Sequence, residues 1–264
     1  LIVDNTLNNT SRNIFNKIKK KISVIHINEK KRGIVNARNK ALHKLKKLKP
    51  DYVSFIDDDC VIDKYWLVNV LKIVSKKKAD IVTGPQIYDK IFNSKKTNLA
   101  EFFEKKYDSK ISKVSWAASN NVFIKYKIIN NENILFDKKL NKFGIGEDQL
   151  FFSILNKKGY NIYWSKNVKV YEKIHKHRSN IKWLIDRSYR LGVLGHYIDV
   201  KLHGNIFGYL INYFKSLFYL ANSIFKLFLI FDSNIKINFI NLISRFYGRL
   251  VGPFKIQKIG FYKK

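Results

Sequence analysis

The first 83 residues alternate. Short apolar runs of strand length take turns with longer stretches whose apolar residues recur at helical spacing, and few folds accept that order. Residues 1–4 read as the end of a buried strand, 11–20 as a short amphipathic helix after an Asn/Thr-rich turn, and 22–27 as a second apolar strand. After Gly33, the side chains of Ile34, Ala37, Ala41, Leu45 and Leu48 share one helical face, and Pro50 ends that helix. Residues 52–56 form the next strand, 65–74 a helix with Trp66, Val70, Ile73 and Val74 on one side, and 79–83 another strand. Strand, helix and strand in this order predict βαβ units: an α/β, Rossmann-like, mostly parallel sheet flanked by helices.

Beyond Pro85 the pattern loosens. A helix is predicted over 99–107, strand character over 114–124, and a loop with two glycines over 140–148 that leads into a helix at 149–156. Short strands follow at 160–164 and 168–171, then a helix over 181–194. No repeat or low-complexity linker interrupts the chain before about residue 200, so the expected units are 1–204 and a helical region 205–264. In that region 206–231 is strongly apolar, but Asn212, Lys215, Asn222 and Lys226 interrupt the unbroken run a spanning helix needs. Gly208, Asn212, Lys215, Tyr219, Asn222 and Lys226 fall on one helical stripe. A wide apolar surface beside a narrow polar stripe suits an amphipathic helix lying in a membrane interface, docked on a partner, or packed on its own domain. A second such helix is expected over 235–251.

Charge invites a nucleic-acid reading, since 51 Lys plus Arg stand against 20 Asp plus Glu, a formal net charge of +31. The kind of basic residue argues against it: eight are Arg, the side chain that bidentate phosphate and base contacts favour, while Lys is spread along the chain with abundant Asn and Ile. The inference that survives is attraction to anionic surfaces, including a phospholipid leaflet, with no specific nucleic acid. A single cysteine, Cys60, excludes an intrachain disulfide and a Cys-built zinc site and fits a reducing, cytoplasmic setting. The chain has no methionine and opens inside an apolar run, Leu1-Ile2-Val3, as a fragment or processed chain would.

The strongest chemical signal is Asp57-Asp58-Asp59, directly after the apolar run Tyr52-Val53-Ser54-Phe55-Ile56. Adjacent carboxylates repel and need a cation, and their oxygens suit Mg²⁺ or Mn²⁺, which share a shell with substrate phosphates. The carboxyl end of a strand is where an open α/β sheet places its ligand crevice. A second acidic pair, Glu147-Asp148, follows Gly146 at a helix start.

Four segments together resemble glycosyltransferase family 2, the inverting nucleotide-sugar transferases of the GT-A fold. Ile2-Val3-Asp4-Asn5 looks like the strand whose Asp contacts the nucleotide base, and Gly33-Ile34-Val35-Asn36-Ala37-Arg38-Asn39 like the segment beside the donor. Phe55 to Asp59 looks like the metal-binding Asp-x-Asp strand end, and Gly146-Glu147-Asp148 like the acceptor-side pair that supplies the catalytic base. The resemblance implies Asp57 and Asp59 as metal ligands for Mg²⁺ or Mn²⁺. It places Asp4, Arg38, Asn39, Asp57 and Asp58 on a nucleoside-diphosphate-sugar donor, Asp148 as general base, and Glu147 orienting a saccharide or lipid-linked acceptor. It further implies cell-surface glycan synthesis at the inner face of the cell membrane, and a first strand and helix of roughly 30 residues ahead of Leu1.

Arg187 and Arg190 lie three apart on one predicted helix and could clamp the donor diphosphate together. His175 and His177 alternate after a strand and read as solvent-exposed, and Trp116 reads as core or as the floor of an acceptor pocket. Two other classes fit parts of the sequence. One is a non-catalytic basic module binding nucleic acid or anionic lipid, which the clustered acids oppose; the other is a metal-dependent nucleotidyltransferase.

Overall fold

In a computed structural model, the structure describes residues 1–6, 8, 11–88, 99, 107–173, 178, 180–227 and 233–255. Strand β1 (Ile2–Asp4) pairs in parallel with β2 (His26–Asn28), with α1 (Arg12–Ile18) between them. Then come α2 (Ile34–Leu48), β3 (Tyr52–Ile56), β4 (Cys60–Ile62), α3 (Trp66–Lys77), β5 (Ile81–Thr83) and β6 (Gln86–Tyr88). After them lie β7 (Ile111–Val114), β8 (Asn121–Lys125), α4 (Tyr126–Glu132), a 3₁₀ turn (Lys138–Lys142), α5 (Glu147–Lys157), β9 (Ile162–Ser165) and β10 (Val170–Glu172). Three long helices end the described chain: α6 (Ile181–His203), α7 (Asn205–Leu227) and α8 (Ser233–Lys255). The helix predicted over 99–107 falls almost wholly outside the described residues, as do His175 and His177.

The central sheet has the order β3-β8-β5-β9-β7, and it is mixed where the alternation predicts mostly parallel pairing. Strands β5 and β9 are parallel, but β8 runs antiparallel between β3 and β5, and β7 antiparallel to β9. The single strand-like run at 114–124 is in fact an edge strand and a central strand joined by residues 115–120. Periodicity reports burial and not pairing partner, which is why β8, buried at four of its five residues, gave no sign of its direction. A second sheet, β4-β10-β6, collects strands of three residues; β10 overlaps the strand predicted at 168–171, whereas β4 and β6 are too short to announce themselves.

The pleat divides the core. Ile81, Val122 and Ile124 meet Val35, Leu42 and Leu45 of α2 and Phe151, Phe152 and Leu155 of α5. Val82 and Phe123 point the other way, onto Trp66, Val70 and Ile73 of α3. Helix α2 starts at Gly33, whose φ of 123° lies in the region that favours glycine. A Cβ there would meet Asn141 Oδ1 at 2.1 Å. Asn141, 106 residues away from its partner, accepts a hydrogen bond from the Val35 N–H at 3.2 Å and so caps the helix from across the fold.

Helices α6 and α8 approach until their backbones touch: a Cβ on Gly248 would lie 2.2 Å from the Tyr189 carbonyl oxygen, and one on Gly192 2.3 Å from that of Arg245. Between the three helices, Asp199 takes Arg249 at 2.7 Å and Lys215 at 2.6 Å, while Asn212 Oδ1 accepts from Arg249 at 2.9 Å. The polar stripe of α7 therefore faces the protein. Gly208 and Asn212 are buried, Tyr219 lies under the Arg249 guanidinium, and Phe207, Phe214, Phe218 and Phe225 are exposed. Among the described residues, no helix is long and apolar enough to cross a membrane.

Candidate active site

The acidic residues singled out in the sequence converge on one arginine. Arg38, in the second turn of α2, is buried, and its guanidinium donates to Glu147 Oε1 at 2.5 Å and to Asp57 Oδ1 at 3.1 Å. Its position follows from Asn141 and Gly33 fixing the start of α2, from β3 ending at Ile56, and from α5 beginning at Glu147. Burial opposes the Arg38 charge, but Asp57, Glu147 and Asp148 together hold its pKa above the ordinary arginine value. The ring of Phe136 lies 5.7 Å from the same guanidinium.

On one side of Arg38 lies the strand-end cluster. Burial raises the Asp57 pKa against the pull of Arg38, and the neighbouring charges of Asp59 and Asp148 push it further. Ligand atoms of Asp59, Cys60 and Glu172 lie within 4.8 Å of one another. Glu172, which closes β10, is buried and raised to about 7 by burial and by Asp59, although Arg178 donates to it at 2.9 Å and Arg187 also opposes the rise. The charge of Asp59 destabilises the charged forms of Asp57 and Glu172, so negative potential is in excess here and a hard cation fits. Burial and the same acids push the Cys60 thiol far above its ordinary value, and a hard cation takes carboxylate oxygens in preference to sulfur.

On the other side lie the acids of the first turn of α5, where the helix dipole favours them. Burial and then Asp148 push Glu147 up to about 7 despite Arg38, and its Oε2 is buried with no hydrogen-bond partner among the described residues. Asp148 is half-buried; Oδ1 accepts from the Gln149 N–H at 2.7 Å and Oδ2 from the Ser119 N–H at 3.3 Å. The loop of Trp116, Ala117, Ala118, Ser119 and Asn120 thus borders the pair, with Trp116 itself packed on the core.

Other predicted residues sit in the framework. Asp4 is buried and accepts four hydrogen bonds: from the Thr6 N–H and hydroxyl at 2.8 and 2.6 Å, and from those of Ser11 at 2.9 and 2.6 Å. Burial acts to raise its carboxyl, but those bonds outweigh it and hold the pKa well below the usual range. The amide of Asn39 donates to the Phe136 carbonyl at 2.9 Å and accepts from the Phe136 N–H at 2.8 Å, pinning the segment after α4. Asp58 is exposed. Arg187 and Arg190 do not share one surrounding: Arg187 acts on Glu172, whereas Arg190 binds Asp186 at 2.7 Å and the Phe143 carbonyl at 2.9 Å.

Sequence reasoning missed Glu172 and Arg178. The signal for Glu172 was present, an acid closing an apolar run as Asp57 does.

The family model described as glycosyl transferase family 2 matches residues 1–141. Among solved structures, GalNAc-T7 with UDP, GalNAc and Mn²⁺ is 12% identical, with 78% of this chain and 45% of that one covered and a TM-score of 0.50, a likeness of fold. TarS from S. aureus with UDP is 13% identical over 98% of this chain and 82% of that one, TM-score 0.48. The protein A197 from STIV is 20% identical over 60% and 76%, TM-score 0.40. No curated protein matches the chain.

Proposed function

The chain belongs to glycosyl transferase family 2, and from that premise we propose that it is a metal-dependent, inverting transferase moving a sugar from a nucleoside diphosphate to an acceptor hydroxyl. One observation carries the reading: Arg38 holds Asp57 and Glu147 at the two ends of one guanidinium, so the donor-side and acceptor-side acids form a single cluster. Asp59 and Asp57, joined by Glu172, would hold Mg²⁺ or Mn²⁺, which as a Lewis acid would neutralise the departing diphosphate. Arg187, beside that cluster, contributes positive charge toward the same phosphates, and Asp4 and Asp58 flank the donor's nucleotide end.

Asp148 is the general base. Two backbone N–H groups fix its carboxylate, and it takes the proton of the acceptor hydroxyl as that oxygen attacks the anomeric carbon from the face opposite the leaving group. Glu147, oriented by Arg38, positions the acceptor. A single displacement inverts the anomeric configuration. We place the reaction on the cytoplasmic side of the cell membrane, in contact with it and without specific nucleic-acid binding, with a lipid-linked or cell-surface glycan as acceptor. The free, half-buried Cys60 suits that compartment.

GalNAc-T7 was solved with UDP and Mn²⁺, which makes that pair the first probe. Ligand binding to the native state raises the melting temperature by mass action. UDP should do so with Mn²⁺ and much less without it, and Asp59→Ala should remove the difference. Asp148→Asn should keep the UDP shift while transfer falls by roughly 10²–10⁴-fold. Wild-type transfer by folded Asp148→Asn protein sinks the base assignment, and a product carrying nucleotide instead of sugar sinks the reaction class.

A further inference from the structure

Helix α7 is built inside out. Its polar stripe is turned into the protein, and the opposite face presents Phe207, Leu210, Phe214, Phe218 and Phe225, spaced three, four, four and seven apart. The four phenylalanines are 63–67% exposed, a large apolar surface for a helix whose own domain has already taken its polar side. The packing that turns it this way is firm: a Cβ on Gly208 would lie 2.4 Å from the Val200 Cα, and Asp199 anchors Lys215 of α7 and Arg249 of α8.

Charge decides what covers this face. Helices α7 and α8 contain no Asp or Glu, and Lys236 and Lys255 of α8 stand exposed, in a chain of net charge +31. A second copy would bring another +31 against the first, whereas an anionic leaflet attracts both the charge and the aromatic rings. We propose that the outward face of α7 docks in the interfacial layer of an anionic phospholipid bilayer, the helix lying in its plane with the phenylalanine rings at the acyl boundary. At 23 residues α7 would lay down a contact about 35 Å long. The inference rests on the membrane contact proposed above and is independent of the transfer chemistry.

Flotation with phosphatidylcholine vesicles, with and without phosphatidylglycerol, tests it. The protein should float with the anionic vesicles, more weakly at high salt. The double substitution Phe214→Lys with Phe218→Lys adds positive charge but removes two anchors, so binding should fall about tenfold or more, with the circular-dichroism melt unchanged because both sites are exposed. Binding that is unchanged or stronger in that variant overturns the assignment to α7 and leaves the membrane contact standing. A failure of the wild-type protein to bind either vesicle overturns both. Self-association of the wild-type protein that the double substitution abolishes, without vesicle binding, makes a second copy the occupant and overturns the proposal.

Discussion

Around the central sheet, valines, isoleucines, leucines and phenylalanines fill the interior and charged groups gather at the ends of β3, β10 and α5. Among α6, α7 and α8 the arrangement is reversed in part, with Asp199, Arg249 and Asn212 inside and the phenylalanines of α7 outside. In the first region buried charge sits at the edge of an apolar core and is left in excess, as a ligand site requires. In the second it is closed into pairs, as a structural network requires. Buried charge thus marks a site only where its partners fail to balance it.

Removing one member of the closed network gives the largest expected effect. Asp199→Ala leaves Arg249 buried without its carboxylate partner, and the loss should be roughly 3–5 kcal/mol in urea unfolding. Hydrogen exchange should locate it in α6, α7 and α8; equal loosening of the sheet would mean that the two regions do not differ as described. Gly248→Ala comes next. Its Cβ must force apart backbones that now touch, costing about 1–3 kcal/mol, and an unchanged melt would show that α6 and α8 separate freely.

Glu172→Gln is the smallest and has a sign of its own. Because the folded-state pKa is raised from 4.5 to about 7, the folded protein holds this proton more tightly, and its contribution to stability is lost as pH rises between those values. The metal-free variant should therefore be more stable than the parent above pH 7, by on the order of 1 kcal/mol, with a flatter pH profile. A lower melting temperature at that pH would show Glu172 to be a balanced structural acid like Asp199.

Much of the fold was legible. Residues 34–48 were readable as a helix to the residue, because an apolar face at helical spacing lay between Gly33 and Pro50, and 52–56 as a strand for similar reasons. Local order ended there. Strands β4 and β6 exist because β10 lies between them, and β8 takes its direction from neighbours distant in the chain. In the site, Asp57, Asp59, Glu147 and Asp148 stood out as clustered acids. Glu172 stood alone in sequence and joins Asp59 only through the pairing of β10 with β4. Asn39 and Arg190 carried the right chemistry for a ligand, but the backbone of Phe136 and the carbonyl of Phe143 engage them.

By itself the sequence determined the longer elements, such as the helix at 34–48 and the strand at 52–56, and where carboxylates are dense, since spacing and adjacency are properties of neighbours along the chain. It determined that α7 has two unlike faces. Which face meets the protein was decided by tertiary structure: Gly208 against Val200, and Asp199 between Lys215 and Arg249, are contacts between separate helices. The same holds for Arg38, whose two carboxylates lie 19 and 109 residues away and meet only once the sheet has closed the distance. A helical period has a direction but no sign, and the partner across the fold supplies it.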